Sequence, residues 1–273
     1  MDDHFTVGVQ QTSSRRIRTT PTVKLLAKKL GVDLEKISGS GSLGMITRED
    51  VEKFAQQTTQ VPAGFEPLRG VRRAMLQSMV QSHAEVVPVS IFDEADISQW
   101  APGTDITVRL IRALCEASKK EPALNAWFDT KHGARQCFEA VHLGLAMDHE
   151  EGLFVPVIHD AGNLPDREIR QNINNFKHEV ANRAIAPEKL KGATITLSNF
   201  GKFAGRFASP IIVPPMVAIL AVGRLYKGPV ATSQGQLEVH PILPLSLSFD
   251  HRAVTGGEAT RFLGTVIEAL QRP

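Results

Sequence analysis

The chain has 273 residues, 42% of them hydrophobic and 22% charged, with a net charge of +2. That is apolar material for one large core plus a small appendage, and too little net charge to define a partner for the whole chain. Cys115 and Cys137 stand alone with no C-x-x-C, which excludes a disulfide framework and a zinc site and points to a reducing compartment. The start, "MDDHFTVGVQQTSSRR", lacks an apolar core of signal-peptide length. The longest apolar run, "IIVPPMVAILAVG" from Ile211, is too short and Pro-broken to cross a bilayer. These features predict a cytoplasmic protein with no membrane and no metal partner.

Taken in order, residues 1–17 read as a flexible segment and residues 18–55 as a miniature helical domain. Thr20 is a good N-cap, Pro21 suits the first helical position, and Gly31 can end the helix. Between them "TVKLLAKKL" spaces Val23, Leu26, Ala27 and Leu30 along one face. Thr47 and Asp50 form a capping pair for a second helix in which Val51 and Phe54 face inward. A unit this small buries little surface, which suits docking better than catalysis. An early basic cluster, Arg15, Arg16, Arg18, Lys24, Lys28 and Lys29, precedes the first acidic residue of the region, Asp33, and would meet an acidic partner surface. "RRIR" has no aromatic interleaving, so no nucleic-acid partner is expected.

"GSGSLG", Gly39 to Gly44, matches G-x-G-x-x-G. A dinucleotide site needs a strand leading into the glycines and a helix opening on them. Here a helix and a short "VDLEKI" stretch come first, so a tight loop is predicted instead.

Residues 56–65, within "QQTTQVPAG", have linker composition, and residues 66–273 form the larger domain. "RRAMLQSMVQSHAEV" carries Met75, Leu76, Met79 and Val80 on one helical face, and "VPVSIFDEADI" alternates like a strand. Long helices follow in "DITVRLIRALCEASKKEPALNAWF", ending at a Pro-containing turn, and in "NLPDREIRQNINNFKHEVANRAI". "VHLGLAMD", "LFVPVI", "ATITLSNF", "MVAILAVGRL" and "ILPLSLSF" read as strands, and "EATRFLGTVIEAL" as a last helix. Strands and helices mix without strict alternation, so the predicted class is α/β of the α+β kind, a mixed sheet covered by helices.

The last strand and helix meet at "DHRAVTGG", which puts His251 on a strand-to-helix turn. Such a turn holds a side chain on rigid supports within reach of a substrate, and an imidazole there can act as a general base near neutral pH. No G-x-S-x-G, H-E-x-x-H or P-loop pattern offers a different chemistry.

Two blocks resemble one known family. "TPTVKLLAKKLGVDLEKISGSGSLGMITREDVEKF" resembles the peripheral subunit-binding domain of 2-oxo acid dehydrogenase E2 chains. The region from "EPLRGVRRAMLQSMVQSHAEV" to the C-terminus is similar to the E2 acyltransferase domain, through "EGLFVPVI", "ATITLSNFG", "PIIVPPMVAILAVG" and "LPLSLSFDHR". The resemblance implies a chloramphenicol acetyltransferase-like fold and acyl transfer between dihydrolipoyl and coenzyme A. His251 then falls on the base and Ser198 on the oxyanion donor. It implies a trimer or cage of trimers whose base and serine meet between subunits, with E1 or E3 docking on residues 18–55. No hairpin lysine of a lipoyl domain is seen, so the lipoyl group would come from another domain or chain, or the chain is a fragment.

Three positions depart from the family. Thr255 stands where an aspartate or asparagine is usual, Met45 follows the third glycine in place of an arginine, and Lys24 replaces a first-helix arginine. Threonine cannot hold a charge, and lysine keeps the charge but loses the two-pronged fork of arginine. Two other functions compete: a docking scaffold with little turnover, and a free-standing acetyltransferase of the chloramphenicol type acting on an alcohol.

Overall fold

The computed structural model describes residues 17–59, 64–202 and 204–273, and its contacts divide the chain into two units, Met1–Leu68 and Arg69–Pro273. In the first, the Thr20 hydroxyl accepts from the Val23 amide at 3.4 Å and opens α1, Pro21–Leu30. Gly31 closes it at φ 66°, a left-handed angle that glycine takes without a Cβ penalty. The second helix, α2, spans Arg48–Thr59. The Asp50 amide donates to the Thr47 hydroxyl at 3.3 Å, and the Thr47 amide donates back to the Asp50 carboxylate at 2.9 Å. The same carboxylate accepts from the Ser40 amide at 2.8 Å, so one side chain starts a helix and fastens the glycine loop. Ser40 above all, with Thr47, holds this carboxyl well below its ordinary value.

Val23, Ala27, Ile37, Ile46 and Val51 make the small core. Leu30 belongs to the expected stripe but is exposed, because the helix ends at the next residue. The backbone of α2 continues through Thr59, four residues into the stretch expected to be linker, whose later residues 60–63 lie outside the described ones. The glycine loop is a close crossing of chain segments: a Cβ at Gly39 would lie 2.5 Å from the Gly44 carbonyl oxygen. No strand leads into it, and it has none of the surroundings of a dinucleotide site.

The second unit opens with α3, Gly70–Glu85, and β1, Pro88–Asp96. Asp105 then caps α4, Ile106–Lys120, by accepting from the Thr107 and Val108 amides. The helix stops at Lys120, short of the expected stretch, because Pro122 has no amide hydrogen to continue it; "AWF" instead opens a small hairpin, β2 (Ala126–Asp129) and β3 (Ala134–Cys137). Next come β4 (Leu143–His149), β5 (Gly152–Phe154), β6 (Val157–Ile158) and α5 (Asp166–Ala181). The chain continues through β7 (Ile195–Asn199), β8 (Ala218–Val222), β9 (Tyr226–Ala231) and β10 (Leu237–Asp250) and ends in α6 (Gly256–Gln271).

Eight strands form one sheet in the order β1-β10-β8-β7-β4-β5, with β6 on β4 and β9 on β10. β7 runs parallel to both β4 and β8, and the other pairs are antiparallel. This is the mixed sheet expected. Alternate residues of β10 divide between its faces. Leu243, Leu245, Leu247 and Phe249 join the core with α4, α5 and α6. Ser246, Ser248 and Asp250 are buried on the other side, where Ser248 bonds Ser90 at 2.6 Å and Ser246 accepts from the Ala208 amide. On the apolar face of α3, Met79 is half-buried, while Leu76 and Val80 are exposed.

Candidate active site

β10 ends at Asp250, and His251 begins the turn into α6. The turn is fixed at both edges, because the Asp250 amide donates to the Val217 carbonyl at 2.8 Å and the His251 amide donates to the Val87 carbonyl at 2.9 Å. The Asp250 side chain is only 2% exposed. It accepts from the Arg252 amide at 3.1 Å and from the Arg252 guanidinium at 2.6 and 3.0 Å. A buried carboxylate needs such partners, since an unpaired charge there would cost several kcal/mol. In return Asp250 holds the guanidinium above its ordinary value. Arg252 lies 4.8 Å from the Phe128 ring centre and reaches the Thr130 hydroxyl, so the β2–β3 hairpin supports the turn from outside. The His251 imidazole rests on the Phe249 ring, is otherwise exposed, and makes no hydrogen bond among the described residues.

Thr255 sits at the N-cap of α6. Its hydroxyl accepts from the Glu258 amide at 3.3 Å, and the Glu258 carboxylate accepts from the Thr255 amide at 2.7 Å and hydroxyl at 2.9 Å. This is a capping box. The hydroxyl is committed to the helix end, and a carboxylate stands beside position 255 after all, contributed by the residue three further on.

Ser198 is the fourth residue of β7, half-buried between Ala146 of β4 and Ala221 of β8, with no hydrogen bond to its hydroxyl among the described residues. Backbone packing holds its strand end. A Cβ at Gly201 would lie 2.3 Å from the Gly223 carbonyl oxygen, and one at Gly223 would lie 1.9 Å from the Arg206 carbonyl oxygen. Only glycine permits those approaches.

The sheet register separates the two residues within one chain. Ser198 lines up across β8 with Ser246, through Ala221, and His251 lies five residues beyond Ser246. Five residues of strand are about 17 Å and two strand spacings about 10 Å, so the two Cα atoms stand on the order of 20 Å apart. One chain does not bring them together. The second unit has a cleft of about 820 Å³ lined by Phe128, Thr130, Lys131 and Arg135, and one of about 480 Å³ lined by Met79, His83, Pro88 and Phe92; His251 itself lines neither.

Sequence reasoning missed Glu258 and Arg135. The first had a signal in "TGGE", the spacing of a capping box. The second had none, because its hairpin was not anticipated and its contacts are distant in sequence. Among the described residues, no group of three or more His, Cys, Asp or Glu side chains could hold a metal ion, and no helix is long and apolar enough to cross a membrane. Burial pushes the Cys115 thiol up to about 11, and Cys137 is exposed. In the first unit Arg18, Lys24 and Lys28 are all exposed, and the Arg18 guanidinium donates to the Leu43 carbonyl at 3.4 Å.

Fold comparison defines the class first. The chain superimposes on the dihydrolipoamide acetyltransferase of Azotobacter vinelandii with a TM-score of 0.72, at 24% identity, over 79% of this chain and 93% of that one. It matches the cubic core of a pyruvate dehydrogenase multienzyme complex with a TM-score of 0.70, at 25% identity, over 78% and 95% of the two chains. The second unit thus has the fold of an acyltransferase core. The family model described as 2-oxoacid dehydrogenases acyltransferase (catalytic domain) matches residues 63–273, and the E3 binding domain model matches residues 17–52. The chain belongs to the 2-oxoacid dehydrogenase acyltransferase family. It is 30% identical to the dihydrolipoyllysine-residue acetyltransferase component of the Bacillus subtilis pyruvate dehydrogenase complex, over 95% of this chain and 68% of that protein's length.

Proposed function

We propose that this acyltransferase moves an acyl group between dihydrolipoyl and coenzyme A, with His251 as general base and Ser198 as oxyanion donor. His251 takes the proton of the attacking thiol, and the thiolate adds to the thioester carbonyl. The Ser198 hydroxyl donates to the resulting oxyanion, a contribution of about 3 kcal/mol to the transition state. As the tetrahedral intermediate collapses, the carbon–sulfur bond of the departing thiol breaks, and the imidazolium returns its proton to that sulfur. No acyl-enzyme is required.

The observation that carries this reading is the exposed imidazole on a turn tied at Val87, Val217 and Asp250, in a chain of this family. Its separation from Ser198 supports a site completed between copies, as in a trimer or a cage of trimers. The Azotobacter vinelandii protein was studied for the catalytic roles of a serine, a histidine and an asparagine four residues after that histidine. Thr255 holds the corresponding place here and acts by capping α6, so its contribution is to the position of the turn and not to its charge.

The first unit, residues 18–55 with the remainder of α2, is the docking module for an E1 or E3 component. Its basic contacts come from Arg18, Lys24 and Lys28; the two lysines lie one turn apart on α1. Residues 66–273 form the catalytic domain, and the lipoyl group reaches it from another domain or chain. The test is to incubate the protein with acetyl-CoA and dihydrolipoamide and follow thiol acylation beside His251→Ala. Turnover that is lost in the variant is expected. Equal background rates for the two proteins would contradict the reading and leave a docking scaffold.

A further inference from the structure

Arg135 lies on β3, in a hairpin far in sequence from the turn it touches. Its guanidinium donates to the carbonyl of Ala253, two residues after His251. The same nitrogen, Nη1, lies 3.6 Å from the Glu258 carboxylate. Glu258 in turn accepts from both the amide and the hydroxyl of Thr255. One cation therefore spans the segment from the carbonyl side of the turn to the helix cap. The Asp250–Arg252 pair ties the near end of this segment, and the Arg135–Glu258 pair ties the far end.

We propose that Arg135, acting through Ala253 and the Glu258–Thr255 cap, is a positioning residue for His251. Without a carboxylate at position 255, the far end of the turn has no charge at that position to fix it, because threonine offers one hydroxyl and no negative charge. Glu258 supplies the charge, and Arg135 is its partner from the opposing hairpin. The pairing also explains the hydrogen-bonded state of Glu258, whose carboxyl is held below its ordinary value by the Thr255 amide first and by the Arg135 charge among lesser causes. Loss of Arg135 would free the Ala253 carbonyl and release the cap, letting the imidazole wander by a fraction of an ångström. A displacement of about 1 Å in a reacting group can cost a hundredfold in rate.

The inference rests on the acyl-transfer reading, so the test carries its own control. Wild type, His251→Ala, Arg135→Met, Arg135→Lys, Glu258→Gln and the double variant Arg135→Met/Glu258→Gln are assayed with acetyl-CoA and dihydrolipoamide, and their melting midpoints are recorded. For Arg135→Met, kcat is expected to fall about tenfold or more, with both KM values within about twofold of wild type and the melting midpoint little changed, since its side chain is 33% exposed. Arg135→Lys should recover part of kcat. The double variant should be no slower than Arg135→Met alone, because both changes break one bridge. His251-dependent turnover with Arg135→Met at the wild-type kcat overturns this inference alone, as do two effects that multiply in the double variant. A fall in kcat that only follows a fall in melting midpoint, with no recovery in Arg135→Lys, also overturns it. Equal rates for wild type and His251→Ala overturn the acyl-transfer reading, and this inference with it.

Discussion

The turn that carries His251 is tied by charge, whereas the strand end that carries Ser198 is tied by close backbone packing. Around His251, Asp250 meets Arg252 and Glu258 meets Arg135. Around Ser198, Gly201 and Gly223 let carbonyl groups approach where any Cβ would collide. Charged ties can be tuned by substitution and respond to their partners. Backbone crossings tolerate almost no change, because overpacking forces the chain itself to move. A base has to sit at one point yet exchange protons with a moving thiol, while an oxyanion donor only has to stay where it is. The two methods of support match the duties proposed for His251 and Ser198.

Four substitutions would break or sharpen this contrast, the largest effect first. Ser198→Ala is expected to lower kcat by about a hundredfold or more with KM little changed, the behaviour of a group that acts only on the oxyanion. Steady-state kinetics beside His251→Ala would check it, and an unchanged kcat would remove Ser198 from the site. Gly201→Ala should destabilise the fold by about 1–3 kcal/mol, read by thermal melting. It should also depress kcat by displacing the serine. A variant with wild-type melting and turnover would show that the crossing is not needed. Arg252→Met leaves the Asp250 carboxylate with backbone donors alone, at a cost of about 2–3 kcal/mol, measured by denaturant unfolding. An unfolding midpoint unchanged from wild type would mean that charge does not hold the turn.

The smallest effect tests a charged tie far from the site. His240 on β10 bonds Asp96 at 2.5 Å and Glu238 at 3.0 Å, and those two bonds, Asp96 first, raise it above its ordinary value. Burial acts to raise the Asp96 carboxyl, but the donors from His240 and Ser98 outweigh it and hold the carboxyl below its ordinary value. A raised histidine stabilises fully below its unfolded value of about 6.5, and that stability is lost as pH rises through the folded value. The lowered Asp96 contributes above about 3.9, and its share is lost as pH falls through its folded value. His240→Gln should therefore melt below wild type near about pH 5, with the gap closing by about pH 9. A gap of constant size across that range would show that the cluster carries no titrating charge.

The helices and caps of the first unit were legible because their signals are local. Thr20, Gly31, Thr47 and Asp50 each act within a few residues of their own position. The central strands announced themselves as apolar runs, and His251 as the residue between a strand and a helix. Less legible was everything set by distant partners. The strands β2, β3 and β9 span only four to six residues each and did not stand out, and Arg135 meets Ala253 across 118 residues. Thr255 looked like a missing carboxylate because Glu258, three residues on, was read as the start of the last helix and not as part of its cap. The expected linker lost four residues to α2, since "QQTT" is polar but carries nothing that stops a helix.

The central claim is that His251 of one copy works with Ser198 of another. His251→Ala and Ser198→Ala chains can be unfolded together, refolded as an equal mixture and assayed for transfer from acetyl-CoA to dihydrolipoamide. In a cyclic trimer, about a quarter of the interfaces would pair an intact histidine with an intact serine, so activity should return to about a quarter of the wild-type value. Activity no higher in the mixture than in either variant refolded alone would contradict the account.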